Sequence, residues 1–185
     1  MQIIELLPDN EPAIVQAAKL LVTGFKEHYP AAWPTMESAM EMMRDEVFGV
    51  DRFCRIAIAD DGSVLGWIGG ISQYDGHVWE LHPLVVHPDY QRQGIGQALV
   101  ADFEEQVRTR GGLTIWLGTD DEDNMTSLSG IDLFPDPLAH ITGIRNLKGH
   151  PYEFYQKQGF VIAGVLPDAN GSGKPDIFMA KSVRD

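Results

Sequence analysis

The chain has 185 residues, of which 44% are hydrophobic, and this length and composition suit one domain with a sizeable core. Its formal net charge of −13 argues against nucleic acid and anionic membranes as partners. The charge favours cationic partners, although it also serves solubility. One cysteine excludes an internal disulfide framework, and no apolar run approaches a membrane span. We therefore expect a single cytoplasmic domain over residues 1–185 that binds neither nucleic acid nor membrane.

The N-terminal third predicts one strand followed by two helices. Residues 1–7 form an apolar strand pattern, and an apolar stripe at helical spacing predicts a helix over residues 11–25. Two prolines make residues 30–34 irregular. Thr35 is a candidate N-cap for a second helix that reaches about residue 48.

The middle of the chain predicts three strands and a long helix. Residues 53–60 and 64–72 form a hairpin around Asp61-Gly62, and residues 78–86 form the next strand. The helix that follows ends at Gly111-Gly112, where glycine supplies a left-handed cap.

The C-terminal part predicts a strand over residues 113–119, a short helix over 151–158, and two closing strands over 160–166 and 176–182. The full order is β-α-α-β-β-β-α-β-α-β-β. It predicts an α/β fold in which helices flank a mixed central β-sheet.

A glycine-rich turn, Gln91-Arg92-Gln93-Gly94-Ile95-Gly96, lies between the strand over residues 78–86 and the long helix. Glycines at a strand-to-helix turn let backbone N–H groups approach a phosphate at the positive end of the helix dipole. The spacing differs from the Walker motif and from the three-glycine dinucleotide motif. The turn therefore predicts a phosphate site of another kind.

This turn and the element order resemble the GNAT superfamily, whose members transfer an acyl group from acetyl-CoA to an amine. Four further blocks resemble the aminoglycoside 6'-N-acetyltransferases of the enterococcal chromosomal type. They span residues 79–86, 117–121, 150–155 and 164–177. The N-terminal third departs from that family, because residues 30–34 are an addition at the expected acceptor mouth.

The resemblance implies a GNAT fold with a splayed strand at the acetyl-CoA site. It implies direct transfer of the acetyl group to a primary amine of a cationic acceptor, above all the 6'-amine of an aminoglycoside. It also implies a homodimer with acetyl-CoA as co-substrate, no metal, and a role in antibiotic resistance.

The resemblance also assigns the chemistry. A break in strand pairing near Pro83 would free backbone N–H groups, with that of Leu84 on the thioester carbonyl. Strand alternation places Glu80, His82 and Leu84 on one face. Glu80 is the candidate general base, or a charge anchor, or both, and His82 is the alternative base. Tyr155 is expected to protonate the departing thiolate.

The resemblance implies two sets of binding residues. The acetyl-CoA set is Leu84, Val85, Val86, Arg92, Gln93, Gly94, Ile95, Gly96, Gln97 and Tyr155. For the acceptor, the resemblance implies Tyr74 and Asp123, and the charge pattern adds Glu80, Asp120 and Asp136 to this acceptor set.

The acceptor set draws on an acidic segment, residues 120–136, inside a stretch without Lys or Arg from Gly111 to Ile144. Such a segment suits a polycation, and a solvated acidic loop is the alternative.

Two other functions remain open from the sequence. An acetyltransferase with a polyamine, an amino-sugar metabolite or a peptide amine as acceptor would share the same cofactor turn. An acyl-CoA-binding sensor without turnover would keep the turn as well, but it would have no use for Glu80 and Tyr155 together.

Overall fold

The architecture comes from a computed structural model, which describes residues 1–184 except for the side chains of residues 46–48. This part of the chain contains seven strands and five α-helices. They are β1 Gln2–Glu5, α1 Glu11–Gly24, α2 Met36–Phe48, β2 Arg52–Ile58, β3 Val64–Gln73, β4 Val78–Val86, α3 Ile95–Thr109, β5 Thr114–Asp120, α4 Pro137–Thr142, α5 Tyr152–Lys157, β6 Val161–Leu166 and β7 Asp176–Ser182. No helix in the described part of the chain is long and apolar enough to cross a membrane.

The strands form one seven-stranded mixed sheet in the order β1-β2-β3-β4-β5-β7-β6. Neighbours from β1 to β4 pair antiparallel, as do β6 and β7. This confirms the predicted α/β fold. The chain forms two compact units, residues 1–115 with the C-terminal residues from Val183, and residues 116–182.

In the first unit, one face of the sheet packs against α1 and α2. Trp67 and Val85 are buried there, and the Trp67 indole N–H donates to the carbonyl oxygen of Ala17 in α1 at 3.1 Å. A Cβ placed on Gly24 would come within 2.5 Å of a Val85 methyl group, so the end of α1 lies tightly on β4. We call this side the α1 face.

The opposite face packs against α3 and is called the α3 face. The Phe53 ring lies 5.0 Å from Phe103 of α3 and 5.1 Å from Trp79 of β4, centroid to centroid. The guanidinium of Arg55 adds a two-point ion pair to Asp102 of α3, at 2.6 and 2.9 Å. Aromatic packing and a bidentate ion pair together fix α3 on the sheet.

The helix starts follow the sequence signals. The Asn10 side chain accepts a hydrogen bond from the backbone N–H of Ala13 at 3.3 Å, at the start of α1. The predicted cap Thr35 is confirmed, since its hydroxyl accepts from the N–H of Ser38 at 3.2 Å and the Ser38 hydroxyl accepts from the N–H of Thr35. This reciprocal pair satisfies two N–H groups that the helix itself leaves unpaired.

The second unit contains α4 and α5 between β5 and the β6–β7 hairpin. Helix α4 was missing from the sequence prediction, because six residues are too few to show a helical period. The sequence does mark its start, however, because Asp136 is a capping residue and Pro137 suits the first turn of a helix. The remaining predicted elements are confirmed to within a few residues.

A glycine in β3 tests the packing on the α3 face. A Cβ on Gly70 would lie 2.7 Å from Phe103 and 2.8 Å from Phe53, so we expect Gly70→Ala to lower the free energy of unfolding by ~1–3 kcal/mol. Urea denaturation measures this. Gly164→Ala in β6 is the matched control, because its Cβ would meet nothing closer than 3.9 Å. Equal stability losses in the two variants would contradict the packing.

Candidate functional site

An extra residue in β4 interrupts its pairing with β3. Leu81 pairs with Gly70 and Leu84 pairs with Ile68, so two residues of β4, His82 and Pro83, stand opposite a single residue of β3. Such a bulge bends a strand and leaves backbone groups outside the ladder. The predicted break in pairing near Pro83 is therefore confirmed.

The bulge also overturns one prediction, that Glu80, His82 and Leu84 share a face. Glu80 pairs with Ile71 and Leu84 with Ile68, and residues three apart on regular β3 point to opposite faces. Glu80 therefore lies on the α1 face and the Leu84 side chain on the α3 face. Simple alternation failed because it counted the extra residue as part of a regular strand.

Glu80 is held by a side chain that the sequence prediction missed. The amide nitrogen of Gln73, at the end of β3, donates to the Glu80 carboxylate at 2.7 Å. Burial raises the pKa of Glu80, and the Gln73 hydrogen bond and the charge of Arg52 oppose that rise. A carboxylate with a raised pKa is a stronger base than an exposed one. Tyr74, which follows Gln73 in the chain, is 76% exposed.

Aromatic side chains from the segment after α1 cover part of the α1 face beside Glu80. The Trp33 ring lies 4.7 Å from Phe25 in an edge-on contact and 6.3 Å from the His82 ring, centroid to centroid. Residues 30–34, expected to be irregular, form no helix or strand, as predicted. This segment is thus packed against the strand that carries Glu80.

The glycine turn leads directly into α3. Gly94 is the N-cap residue with a left-handed φ of 86°, and Arg92 is also left-handed at 59°. This helix start has no side-chain cap from its N-cap residue, which is a glycine. Its first N–H groups therefore stay available to an anion, and the helix dipole favours negative charge there. Arg92, Gln93 and Gln97 are exposed around the turn.

In the second unit, Tyr155 lies in α5 with its side chain buried. It is 9% exposed, and its ring contacts Phe160 at 5.7 Å between centroids. Burial raises the pKa of Tyr155 well above its ordinary value. The hydroxyl therefore keeps its proton throughout the physiological range.

The acidic segment divides into structural and accessible carboxylates. Asp121 is 0% exposed and accepts from the backbone N–H groups of Met125 and Thr126 at 2.7 and 2.8 Å. Asp136 accepts from the N–H of Ala139 and caps α4. Asp120 is bound by the Asn170 amide, whereas Asp123 is exposed. The segment is an ordered structure and not only a solvated loop.

A second residue that the sequence prediction missed is His150, which is buried in the same unit. Its ring bonds the end of β5 and the start of α5. The available signal was a histidine directly before Pro151, the residue that precedes the first turn of α5. Within residues 1–184, no group of three or more His, Cys, Asp or Glu residues is arranged to hold a metal ion.

Comparisons with known proteins identify relatives of the whole chain. A model described as the acetyltransferase (GNAT) family matches residues 18–129. A solved aminoglycoside 6'-N-acetyltransferase complexed with coenzyme A is 40% identical, with a TM-score of 0.90, over 100% of this chain and 98% of that one. The aminoglycoside 6'-N-acetyltransferase from Enterococcus faecium is 42% identical, with a TM-score of 0.88 and the same coverage.

Matches to curated relatives are shorter. An acetyltransferase from Sodalis glossinidius is 36% identical over 78 residues, which span 42% of this chain and 52% of that protein. The ribosomal protein bS18 alanine N-acetyltransferase of Escherichia coli is 46% identical over 37 residues, 20% of this chain and 25% of that protein. The chain thus spans about half the length of the first of these relatives and a quarter of the second.

Gly94 and Gly62 form a matched pair for testing the turn. Both have a left-handed φ, 86° and 87°, and a Cβ on either would meet nothing within 4 Å. We expect Gly94→Ala and Gly62→Ala to cost similar stability, about 1 kcal/mol each. Only Gly94→Ala should weaken acetyl-CoA binding, by ~1–3 kcal/mol, the scale of a displaced backbone hydrogen bond.

Calorimetric titration with acetyl-CoA measures both affinities. Unchanged affinity in folded Gly94→Ala, or an equal loss in Gly62→Ala, would contradict this location of the acetyl-CoA site.

Proposed function

The chain belongs to the acetyltransferase (GNAT) family, whose members use acetyl-CoA, and we propose that it transfers the acetyl group directly to the 6'-amine of an aminoglycoside. The observation that carries the proposal is identity of about 40% over the whole chain to aminoglycoside 6'-N-acetyltransferases. The acidic segment is consistent with it, since an aminoglycoside is a polycation. The alternative acceptors are a polyamine, an amino-sugar metabolite and a peptide amine.

We propose that acetyl-CoA lies along β4 and the glycine turn. Backbone N–H groups at Leu84, Val85 and Val86 would hold the acetyl and pantetheine part, and the bulge beside Leu84 supports this because it disturbs the ladder there. The uncapped start of α3 supports a pyrophosphate site. The residues of that site are Arg92, Gln93, Gly94, Ile95, Gly96 and Gln97.

In the proposed reaction, the acceptor is bound as an ammonium and must lose a proton before its nitrogen attacks. Glu80 takes that proton, directly or through a water, and its raised pKa supports the role. The N–H of Leu84 bonds the carbonyl oxygen as negative charge develops on it. The new C–N bond forms as the C–S bond breaks, and the nitrogen loses its second proton to solvent. Tyr155 donates a hydrogen bond to the departing thiolate, which then takes a proton from solvent.

Acceptor recognition is assigned to Tyr74, Glu80, Asp120, Asp123 and Asp136. The exposure of Tyr74 and Asp123 supports direct contact with a ligand. Asp136 already caps α4, so its remaining oxygen is the one available to a cation. The aromatic contact of Trp33 with His82 supports the proposal that Trp33 lines the acceptor site on the face that carries Glu80.

We also propose a single-domain homodimer that acts in the cytoplasm, binds neither nucleic acid nor membrane, and confers aminoglycoside resistance. The full-length relationship to aminoglycoside-modifying enzymes supports the resistance role. Light scattering measures the oligomeric state, and inhibitory concentrations of aminoglycosides in a host with and without the protein measure resistance.

The role of Glu80 predicts a pH-dependent loss of rate. Glu80→Gln should lower kcat by ~10²–10⁴-fold, the usual cost of removing a general base. The loss should be largest below neutral pH, where more of the acceptor amine is protonated. Glu41→Gln, on the exposed side of α2, is the charge-matched control. A pH–rate profile identical to that of the unaltered protein would remove Glu80 as the base.

The acceptor proposal predicts a charge effect at Asp123. Asp123→Asn should raise the KM for an aminoglycoside about two- to fivefold, the scale of an exposed ion pair, and leave the KM for acetyl-CoA unchanged. The acceptor KM should also rise with salt. Asp9→Asn removes the same charge from an exposed position in the first unit and serves as control.

A thiol-release assay with acetyl-CoA across aminoglycosides, polyamines and peptides measures these constants. Efficient transfer to a neutral peptide amine, with no turnover of any aminoglycoside, would refute the proposed acceptor and leave the acetyltransferase reaction in place.

A further inference from the structure

His150 lies at the centre of a hydrogen-bonded link inside the second unit. The side chain is 1% exposed. Its Nδ1 accepts a hydrogen bond from the backbone N–H of Tyr152, the first residue of α5, at 3.2 Å. Its Nε2 lies 3.0 Å from the carbonyl oxygen of Asp120, the last residue of β5. One imidazole therefore bridges a strand end and a helix start.

These two partners determine the protonation state of the ring. A backbone N–H can only donate, so Nδ1 must be unprotonated, and a carbonyl oxygen can only accept, so Nε2 must carry the proton. The bridge requires the neutral imidazole in one tautomer. Burial lowers the pKa of His150, and the carboxylates of Asp121 and Asp120 oppose that shift. The neutral state is thus the one that the folded unit favours.

The position of the ring is itself fixed. The Asn146 side chain accepts from the backbone N–H of His150 at 2.7 Å and donates to its carbonyl oxygen at 2.9 Å. The His150 ring also packs against the Tyr152 ring, with centroids 5.7 Å apart. Both the backbone and the side chain of His150 are therefore held before α5 begins.

Helix α5 depends on such support. It has only six residues, Tyr152–Lys157, and its N-cap residue Pro151 makes no side-chain capping bond. A helix this short is unstable on its own in water, because nucleation costs more than its few bonds return. The His150 ring supplies the missing acceptor to its first turn. Tyr155 lies one turn further along the same helix.

We propose that His150 is a positioning residue that holds α5, and with it the Tyr155 hydroxyl, in a fixed place relative to the end of β5 where the acidic segment begins. The inference rests on the role of Tyr155 in the proposed function. Protonation of His150 would replace the acceptor at Nδ1 by a second donor, which would break the bond to Tyr152. Acid pH should then release α5 while leaving the glycine turn intact.

Two variants separate bonding from bulk. His150→Phe keeps an aromatic ring of similar size but makes neither bond, and His150→Gln keeps an acceptor and a donor on one side chain. His140→Phe in α4 of the same unit is the matched control. We expect His150→Phe to lower kcat by ~10-fold or more, the scale of one lost buried hydrogen bond. The KM for acetyl-CoA should stay within about twofold, and His150→Gln should restore most of kcat.

A double-mutant cycle distinguishes positioning from general loss of structure. If His150 acts through Tyr155, then His150→Phe should cost nothing further in a Tyr155→Phe background, because the two losses share one cause. The proposal would be overturned if His150→Phe lowered kcat by the same factor with Tyr155 present and in the Tyr155→Phe background. No loss of kcat in either background would overturn it as well.

Hydrogen exchange provides a readout that does not depend on activity. The amides of Tyr152–Lys157 should exchange faster in His150→Phe than in His140→Phe or the unaltered protein. They should also lose protection in the unaltered protein as the pH falls below the ordinary histidine pKa of about 6.5, after correction for intrinsic exchange rates. Unchanged protection in both experiments would refute the link. A normal kcat in Tyr155→Phe would instead refute the proposed role of Tyr155 toward the leaving thiolate, and the exchange result would still decide on His150.

Discussion

The one extra residue in β4 is the constraint on which the first unit's chemistry depends. Without it, Glu80 and Leu84 would point to the same side, and the strand would pair regularly with β3. With it, a single strand presents Glu80 and His82 toward α1 and the Leu84 side chain toward α3. The same irregularity disturbs the ladder beside the N–H group assigned to the thioester carbonyl. One local insertion thus turns the proposed base, Glu80, to the face opposite the Leu84 side chain while both residues stay on one rigid strand.

The carboxylates of the second unit have two different uses, one structural and one proposed for binding. Asp121 is wholly buried, yet hydrogen bonds from Ser129, Met125 and Thr126 hold its pKa below the ordinary value, against the effect of burial. It stays ionised and orders the turn that follows β5. The carboxylates proposed to bind a cation therefore belong to a segment whose conformation Asp121 stabilises. A net charge alone could not separate these two uses, since it counts every carboxylate equally.

Periodicity, caps and glycines made most elements predictable, since these signals reflect local backbone physics. Strand β4 was predicted at its observed bounds, and the cap at Thr35 and the glycine turn at Gly94 follow from residue type and spacing. The faces of β4 were mispredicted because pairing, which no single strand encodes, decides where a bulge falls. Gln73 and His150 were missed for a related reason. Their roles come from hydrogen bonds to groups that lie in another strand or helix, and the sequence around a Gln or His does not indicate which group it will bond.

Burial raises the pKa of both Glu80 and Tyr155, and the two effects are chemically opposite. For Glu80 it strengthens the base, so a proton leaves the acceptor ammonium more readily. For Tyr155 it weakens the acid, because the phenolate would lie in a buried, apolar place. Full proton transfer from Tyr155 to a thiolate is therefore uphill. In the proposed reaction the hydroxyl would instead be a fixed hydrogen-bond donor that stabilises negative charge on sulfur, and solvent would supply the proton after departure. A donor of this kind needs accurate placement more than acidity, which makes the support of α5 the more important property of the Tyr155 site.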